Sequence, residues 1–184
     1  GIEAALWDIN GKALGVPVYR LLGGKCREKV KIYVNGWFSG AKKPEEFAQK
    51  ARRVVERNIG GLKWDPFGKA YMNISNEELN NAFECIGAVR DEVGEEVDIL
   101  IEGHGRFNIQ TAIKIAKRLD QYDPLWFEEP VPPDNIEALL EVREKSPVPI
   151  AAGERLFTRF SYKDLFEKKA IDFIQPDVSH VGGI

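Results

Sequence analysis

The sequence of 184 residues contains few cysteines and histidines and has no excess of positive charge. Its two cysteines, Cys26 and Cys85, lie far apart without a CxxC pair, which argues against a zinc site or a disulfide framework. The formal net charge of -3 gives no electrostatic reason to expect a nucleic acid or an anionic membrane as a partner. No apolar run approaches membrane-spanning length. Reduced cysteines and the lack of a signal peptide predict a cytoplasmic protein.

Strand-like and helix-like segments alternate along the chain, and the alternation predicts the fold class. The predicted strands, six short runs rich in apolar residues, are 31–34, 62–64, 97–101, 125–127, 148–152 and 171–174. Such alternation favours an α/β fold with a parallel sheet and right-handed crossovers. A doubly wound sheet and a closed barrel both fit, but no GxGxxG or P-loop follows the first strand. We therefore expect part of a TIM-type (β/α) barrel with about six βα units.

Two helix starts carry recognisable capping residues. Ser75 and Glu78 form a capping box ahead of a helix with apolar residues at helical spacing. Asp134 is predicted to cap a later helix that runs through Val142.

Three predicted strands are each followed by an acidic residue, and these acids define the candidate site. Glu102 follows the third strand, Glu128 follows the fourth, and Glu154 lies just beyond the fifth. The carboxyl ends of parallel barrel strands share one face, where active sites lie, so these side chains should converge. Carboxylates held together stay ionised most readily around a cation. Oxygen ligands suit magnesium, with manganese a possible substitute. Spacing alone leaves open whether Glu128 or its neighbour Glu129 is the ligand.

Other reactive groups follow the same strands. His104 lies two residues after Glu102, so it should point to the same side if strand geometry persists. Histidine is the usual proton-transfer group near neutral pH. Lys63, near the end of the second strand, can hold a substrate carboxylate or an enolate oxygen, although a surface pair with Asp65 is nearly as good an interpretation.

The sequence also resembles a known family over essentially its whole length. The segments that carry the resemblance are Ala4–Ile9, Leu14–Tyr19, Lys63–Pro66, Glu102–Arg106, Phe127–Pro130, Gly153–Leu156 and Gln175–Asp177. They resemble the mandelate racemase/muconate lactonizing enzyme group of the enolase superfamily, and within it acid-sugar dehydratases of the galactonate dehydratase type.

The resemblance implies specific roles for several residues. Glu128, rather than Glu129, matches the second metal ligand, and His104 matches a general acid that helps the β-hydroxyl leave. Asp177 matches the acid of a His–Asp dyad whose histidine would lie beyond Ile184.

Three further features bear on the comparison with the family. The first ligand position, usually aspartate, is Glu102 here. Asp65 stands where related racemases carry a second lysine, which makes a lysine-based racemase a weaker interpretation. The candidates for substrate contacts are Asn35, Asp65, Arg106 and Arg155.

The resemblance implies a lyase that converts a sugar acid, such as galactonate or gluconate, to a 2-keto-3-deoxy acid. The expected route is α-proton abstraction, enediolate stabilisation and β-hydroxyl elimination. A racemase or epimerase on the same scaffold, or an inactive truncated fragment, are the alternatives. We expect residues 1–184 to be a barrel fragment without the capping domain or the last strands, and the full-length protein to form a homo-oligomer.

Overall fold

The computed structural model describes all 184 residues, and a parallel sheet of five strands lies at its centre. The strands are β1 (Gly61–Trp64), β2 (Asp98–Glu102), β3 (Trp126–Glu128), β4 (Ile150–Ala152) and β5 (Phe173–Ile174). They lie in sequential order, and every neighbouring pair is parallel. A doubly wound sheet reverses its strand order at a switch point, whereas an unbroken order is that of a barrel. The predicted α/β class with a partial, barrel-type parallel sheet is therefore confirmed.

Helices occupy the segments between the strands and before them. They are α1 (Ile2–Leu14), α2 (Val18–Leu21), α3 (Pro44–Val55), α4 (Asn76–Val93), α5 (Ile109–Leu119), α6 (Ile136–Lys145), α7 (Thr158–Ser161) and α8 (Lys163–Lys168). The predicted capping box of α4 is confirmed, since the Ser75 hydroxyl accepts a hydrogen bond from Glu78 N at 3.1 Å and Glu78 Oε2 accepts one from Ser75 N at 3.0 Å. No helix has both the length and the apolar character that crossing a membrane requires.

The two faces of the sheet carry different residues because side chains alternate along each strand. Ile99, Ile101 and Phe127 face the helices and belong to an apolar core of 33 buried residues. Leu100 and Trp126 belong to a separate small cluster on the opposite face. In a barrel that opposite face is the interior, so residues in phase with Leu100 and Trp126 point inward.

The strand predicted at 31–34 is the main difference between expectation and structure. Only Val34 pairs with the sheet, through an isolated parallel bridge to Leu62. Its amide donates to Gly61 O at 3.0 Å, and its carbonyl accepts from Lys63 N at 2.9 Å. The β-prone composition of this run reflects local preference, but one residue alone meets the edge of β1. The sheet therefore has five strands and a bridge rather than six strands.

A smaller correction concerns the start of α6. The cap is Asn135, whose side chain accepts a hydrogen bond from Ala138 N at 3.0 Å, and not Asp134 as predicted. Both residue types cap helices well, so composition could not distinguish the two neighbours.

At the amino-terminal edge of the sheet, Asp172 holds β4 and α6 together. Its carboxylate accepts hydrogen bonds from Arg143 Nη2 at 2.8 Å and from Ile150 N at 3.0 Å. Burial raises the pKa of Asp172, but the Arg143 and Ile150 donors outweigh this effect, so its pKa lies below the ordinary value.

We expect Asp172→Asn to lower the free energy of unfolding by about 1 kcal/mol at pH 7, because a partly exposed charged hydrogen bond is lost. A depressed folded-state pKa stabilises the fold above the unfolded-state pKa and ceases to do so as the pH falls through the folded value. The difference in the free energy of unfolding between Asp172→Asn and the parent should therefore become smaller below about pH 4. Urea denaturation at pH 7 and pH 3 measures it, and an undiminished difference at pH 3 would contradict this account.

Candidate active site

The acids predicted to converge do lie at the carboxyl edge of the sheet, and two of them are direct neighbours. Glu102 ends β2 and Glu128 ends β3, and the two residues are paired in the strand register. Both are almost completely buried, at 2% and 1% exposure. Because Glu102 is in phase with Leu100 and Glu128 with Trp126, both side chains point toward the inner face. The structure thus brings two carboxylates together in a nearly dry environment.

Lys63 lies between these two carboxylates. Its Nζ is 2.6 Å from Glu128 Oε1 and 2.9 Å from Glu102 Oε2. The residue is only 5% exposed, so it is not the surface lysine that the alternative interpretation supposed. Burial lowers the pKa of Lys63, but the two carboxylates outweigh burial, and the pKa lies above its ordinary value. Lys63 is therefore a cation fixed in the site.

One lysine does not fully compensate two buried carboxylates. Burial, followed by the neighbouring charge of Glu128, raises the pKa of Glu102 to about 7, although Lys63 and the His104 amide act in the opposite direction. Two like charges held this close favour protonation of one of them. The pair is thus poised to accept additional positive charge.

Glu128 is held by donors that the sequence analysis did not identify. Trp126 Nε1 donates to Glu128 Oε2 at 2.9 Å, and Gln175 Nε2 donates to the same oxygen at 3.2 Å. Gln175 Nε2 also lies 3.3 Å from Tyr33 OH. Because side chains alternate along a strand, the sequence could have indicated that Trp126 lies beside Glu128. It is two residues earlier and therefore on the same face of the strand. Gln175 belongs to a quoted family motif, but its role depends on a contact between distant segments.

The structure distinguishes the two neighbouring acids that spacing could not. Glu128 faces Lys63 on the inner side, whereas Glu129, at 3% exposure, binds Arg155 Nε through Oε2 at 2.7 Å. Glu129, the first residue after β3, has a backbone φ of 41°, which is a left-handed conformation. Burial raises the pKa of Glu129, while Arg155 lowers it, and the net shift is upward.

Glu154 lies beyond the end of its strand, whereas Glu102 and Glu128 are the last residues of theirs. It is two residues past the end of β4, and its side chain is 41% exposed with Arg155 Nη2 at 3.9 Å. No group of three or more His, Cys, Asp or Glu side chains is gathered closely enough to hold a metal ion. The structure therefore unites Glu102 and Glu128, and the third ligand position of Glu154 stays a prediction.

His104 belongs to a second polar cluster beside the first. Its Nδ1 is 2.6 Å from Asp65 Oδ2, and its amide donates to Glu102 Oε1 at 2.8 Å. Arg106 Nη2 lies 2.9 Å and 2.7 Å from the two oxygens of Asp65, and Phe67 N donates to Oδ1 at 2.9 Å. The Asp65 hydrogen bond is the largest of the effects that raise the pKa of His104, and burial opposes it. With Nδ1 on Asp65, Nε2 is the nitrogen left for another partner.

The remaining predicted residues are engaged locally. The Asn35 side chain is exposed and accepts a hydrogen bond from Gly36 N at 2.7 Å. Asp177 is exposed and accepts from Ser179 N at 2.7 Å and His180 N at 3.2 Å. Asp65 and Arg106 bind each other, and Arg155 binds Glu129. The substrate-contact roles of all these residues, and the dyad role of Asp177, stay predictions.

The buried donors suit a hard divalent cation. Glu102 and Glu128 supply oxygen atoms only, which is what magnesium and manganese prefer. Burial, and after it the charge of Glu128, raises the pKa of Glu102, so a cation bound beside the pair would favour its ionised form. The chemistry of the donors thus fits the metal that the family resemblance implied.

Comparison with known proteins agrees with the expected family. The family description "Enolase C-terminal domain-like" matches residues 46–184, and "Mandelate racemase / muconate lactonizing enzyme, N-terminal domain" matches residues 1–23. A D-gluconate dehydratase from Thermoproteus tenax is 46% identical over 100% of this chain and 37% of its own length. A D-galactonate dehydratase from Variovorax paradoxus is 38% identical over 100% of this chain and 47% of its own.

A solved structure supports the same relationship. A member of the enolase superfamily from Salmonella Typhimurium superposes with a TM-score of 0.91 at 35% identity, covering 98% of this chain and 51% of that one. The chain therefore spans between 37% and 51% of the length of these three relatives.

Proposed function

Because this chain belongs to the mandelate racemase/muconate lactonizing enzyme group of the enolase superfamily, we propose that it is part of a metal-dependent dehydratase of sugar acids. The substrate would be an aldonate such as gluconate or galactonate, the acids named for two of its relatives. The product would be a 2-keto-3-deoxy acid. A cytoplasmic location and a homo-oligomeric state stay predictions.

The observation that carries the proposal is the buried cluster of Lys63, Glu102 and Glu128 at the carboxyl edge of the sheet. Burying three ionisable side chains is unfavourable for stability alone, because desolvation offsets much of the attraction between the charges. Such clusters with shifted pKa values concentrate at active sites. The edge where they lie is also the edge on which barrel enzymes bind substrates.

Each group in the cluster would have a distinct task. Glu102 and Glu128, with Glu154 as a third ligand, would hold a magnesium or manganese ion. When bound, that ion supplies positive charge for the negative charge that develops on the substrate as its α-proton leaves. The Lys63 ammonium lies beside this position and would stabilise the same developing charge.

His104 would donate the proton that the departing β-hydroxyl needs. The Asp65 carboxylate fixes the ring through Nδ1, so Nε2 is free to act on a substrate. Arg106, whose Nη2 contacts both oxygens of the Asp65 carboxylate, supports this orientation. Loss of the α-proton and of the hydroxyl gives an enol that tautomerises to the 2-keto-3-deoxy acid. We further propose Asp177 as the acid of the dyad that removes the α-proton.

The test is an assay of the full-length protein with magnesium on a panel of aldonates, with detection of 2-keto-3-deoxy acids. We expect a product from at least one acid and none after EDTA treatment, with activity restored by magnesium. His104→Ala should lower kcat by about a hundredfold or more, because a general acid typically contributes that much. A stereoisomer as the product would favour an epimerase instead, and an unchanged rate in His104→Ala would remove His104 from the mechanism.

A further inference from the structure

We propose that Glu129 and Arg155 form a positioning pair that fixes the loops after β2, β3 and β4 relative to one another, and so sets where Glu154 stands with respect to Glu102 and Glu128. The role goes beyond the proposed function but rests on it, because its consequence concerns the proposed metal site. Neither residue would bind the metal itself. They would determine how well the site is pre-formed.

The first support is the unusual environment of Glu129. Its side chain is 3% exposed, and the guanidinium of Arg155 is its hydrogen-bond partner, with Nε at 2.7 Å. Its backbone is left-handed, with a φ of 41°, a conformation that is strained for a residue with a side chain. Because the Arg155 side chain is 43% exposed, this half-buried ion pair adds little to stability, but it can specify one arrangement among several. The pair is therefore better explained by a role in positioning the loops than by a contribution to stability.

The second support is that Arg155 touches all three loops. It lies next to Glu154 on the loop after β4, with Nη2 3.9 Å from the Glu154 carboxylate. The same Nη2 donates to His104 O at 3.4 Å on the loop after β2, and Nε binds Glu129 after β3. One planar guanidinium with five donors can hold several acceptors in fixed geometry. No other side chain makes polar contacts with these three loops together.

The third support is the close packing of the β2 and β3 loops at this point. Gly105 N donates to Glu129 O at 2.7 Å, and Gly103 N donates to Glu128 O at 2.8 Å. A Cβ added to Gly103 would lie 2.7 Å from Glu129 O, so only glycine permits the approach. A change at Glu129 would therefore be transmitted to the segment that carries His104.

The test uses Glu129→Gln in the full-length protein with two measurements. Titration with Mn²⁺ should show that the metal affinity is about tenfold weaker than in the parent. Losing a residue that orients metal ligands typically weakens affinity by about tenfold to a hundredfold, and this is the low end of that range. Hydrogen exchange of the metal-free protein should be faster at residues 103–106 and 153–156. Arg155→Lys keeps the positive charge but loses the planar guanidinium. Its Mn²⁺ affinity and its exchange rates should therefore lie between those of the parent and those of Glu129→Gln.

Asp172→Asn is the matched control, because it breaks an Arg–carboxylate pair at the opposite edge of the sheet. It should lower stability without changing Mn²⁺ affinity or exchange in the two loops. Unchanged affinity and exchange in Glu129→Gln would overturn the positioning role. If the parent protein bound no Mn²⁺, the proposed function would fall, and exchange in the two loops alone would decide the positioning role.

Discussion

Replacing Glu128 by glutamine is expected to weaken Mg²⁺ or Mn²⁺ binding by about a hundredfold or more and to reduce dehydration by at least as much. The substitution removes one charge while keeping the size of the side chain and an oxygen that can accept a hydrogen bond. With the amide oxygen at the Oε2 position, Trp126 Nε1 would keep its acceptor, now at 2.9 Å, and Lys63 Nζ would keep Glu102 but lose the acceptor that it has at Oε1. The loss would therefore report the missing charge and not a collapsed site.

The fold should tolerate Glu128→Gln in the absence of metal. Lys63 would still pair with Glu102 at 2.9 Å, and the repulsion between the two buried carboxylates would disappear. We expect the free energy of unfolding of the metal-free protein to change by less than about 1 kcal/mol. Glu96→Gln is the control, since Glu96 is an exposed acid outside the cluster and its substitution should leave metal binding and turnover unaltered.

Isothermal titration with Mn²⁺ measures the metal affinity, an aldonate assay measures dehydration, and urea denaturation of the metal-free protein measures its stability. Full metal affinity in Glu128→Gln would contradict the ligand assignment directly. A large loss of stability without metal would show instead that the carboxylate serves the fold.

The sequence predicted the elements that depend on local patterns. The predicted strands 62–64, 97–101 and 125–127 overlap β1, β2 and β3, because short apolar runs mark strands that are buried on both faces. Ser75 and Glu78 likewise identify their helix from four residues alone. The strand at 31–34 failed because pairing depends on what lies alongside, and only Val34 meets a neighbour there.

The sequence could predict which residues lie at the same edge of the sheet, but not which of their side chains contact one another. Strand-end spacing placed Glu102 beside Glu128, since the length of one βα unit governs which residues reach the same edge. Spacing could not show that Lys63 Nζ lies between them, because that requires the register of β1 against β2. It also could not show that the Glu154 side chain, two residues past β4, is 41% exposed and does not form a close group of three acids with the pair.

Lys63→Met is expected to lower the free energy of unfolding of the metal-free protein by about 3–5 kcal/mol, because it removes one partner of a buried ion cluster. The methionine fills similar space, but Glu102 and Glu128 would then share a buried site with no cation between them. At pH 7 each buried carboxylate would then have to stay charged without a cation or take up a proton, and both are costly. Lys31→Met is the matched control, because Lys31 is 75% exposed in a surface pair with Asp98 and should contribute at most about 1 kcal/mol.

A divalent cation should offset the loss in Lys63→Met, since it would supply charge to the same two carboxylates. Removing the lysine also removes its repulsion of the metal, so Lys63→Met should bind Mn²⁺ at least as tightly as the parent while turnover falls about a hundredfold or more. Tighter binding with lost activity separates a catalytic lysine from a structural one. Denaturation with and without Mn²⁺, together with the aldonate assay, measures these effects. A variant that is no less stable than Lys31→Met would show that Lys63 does not balance the two acids.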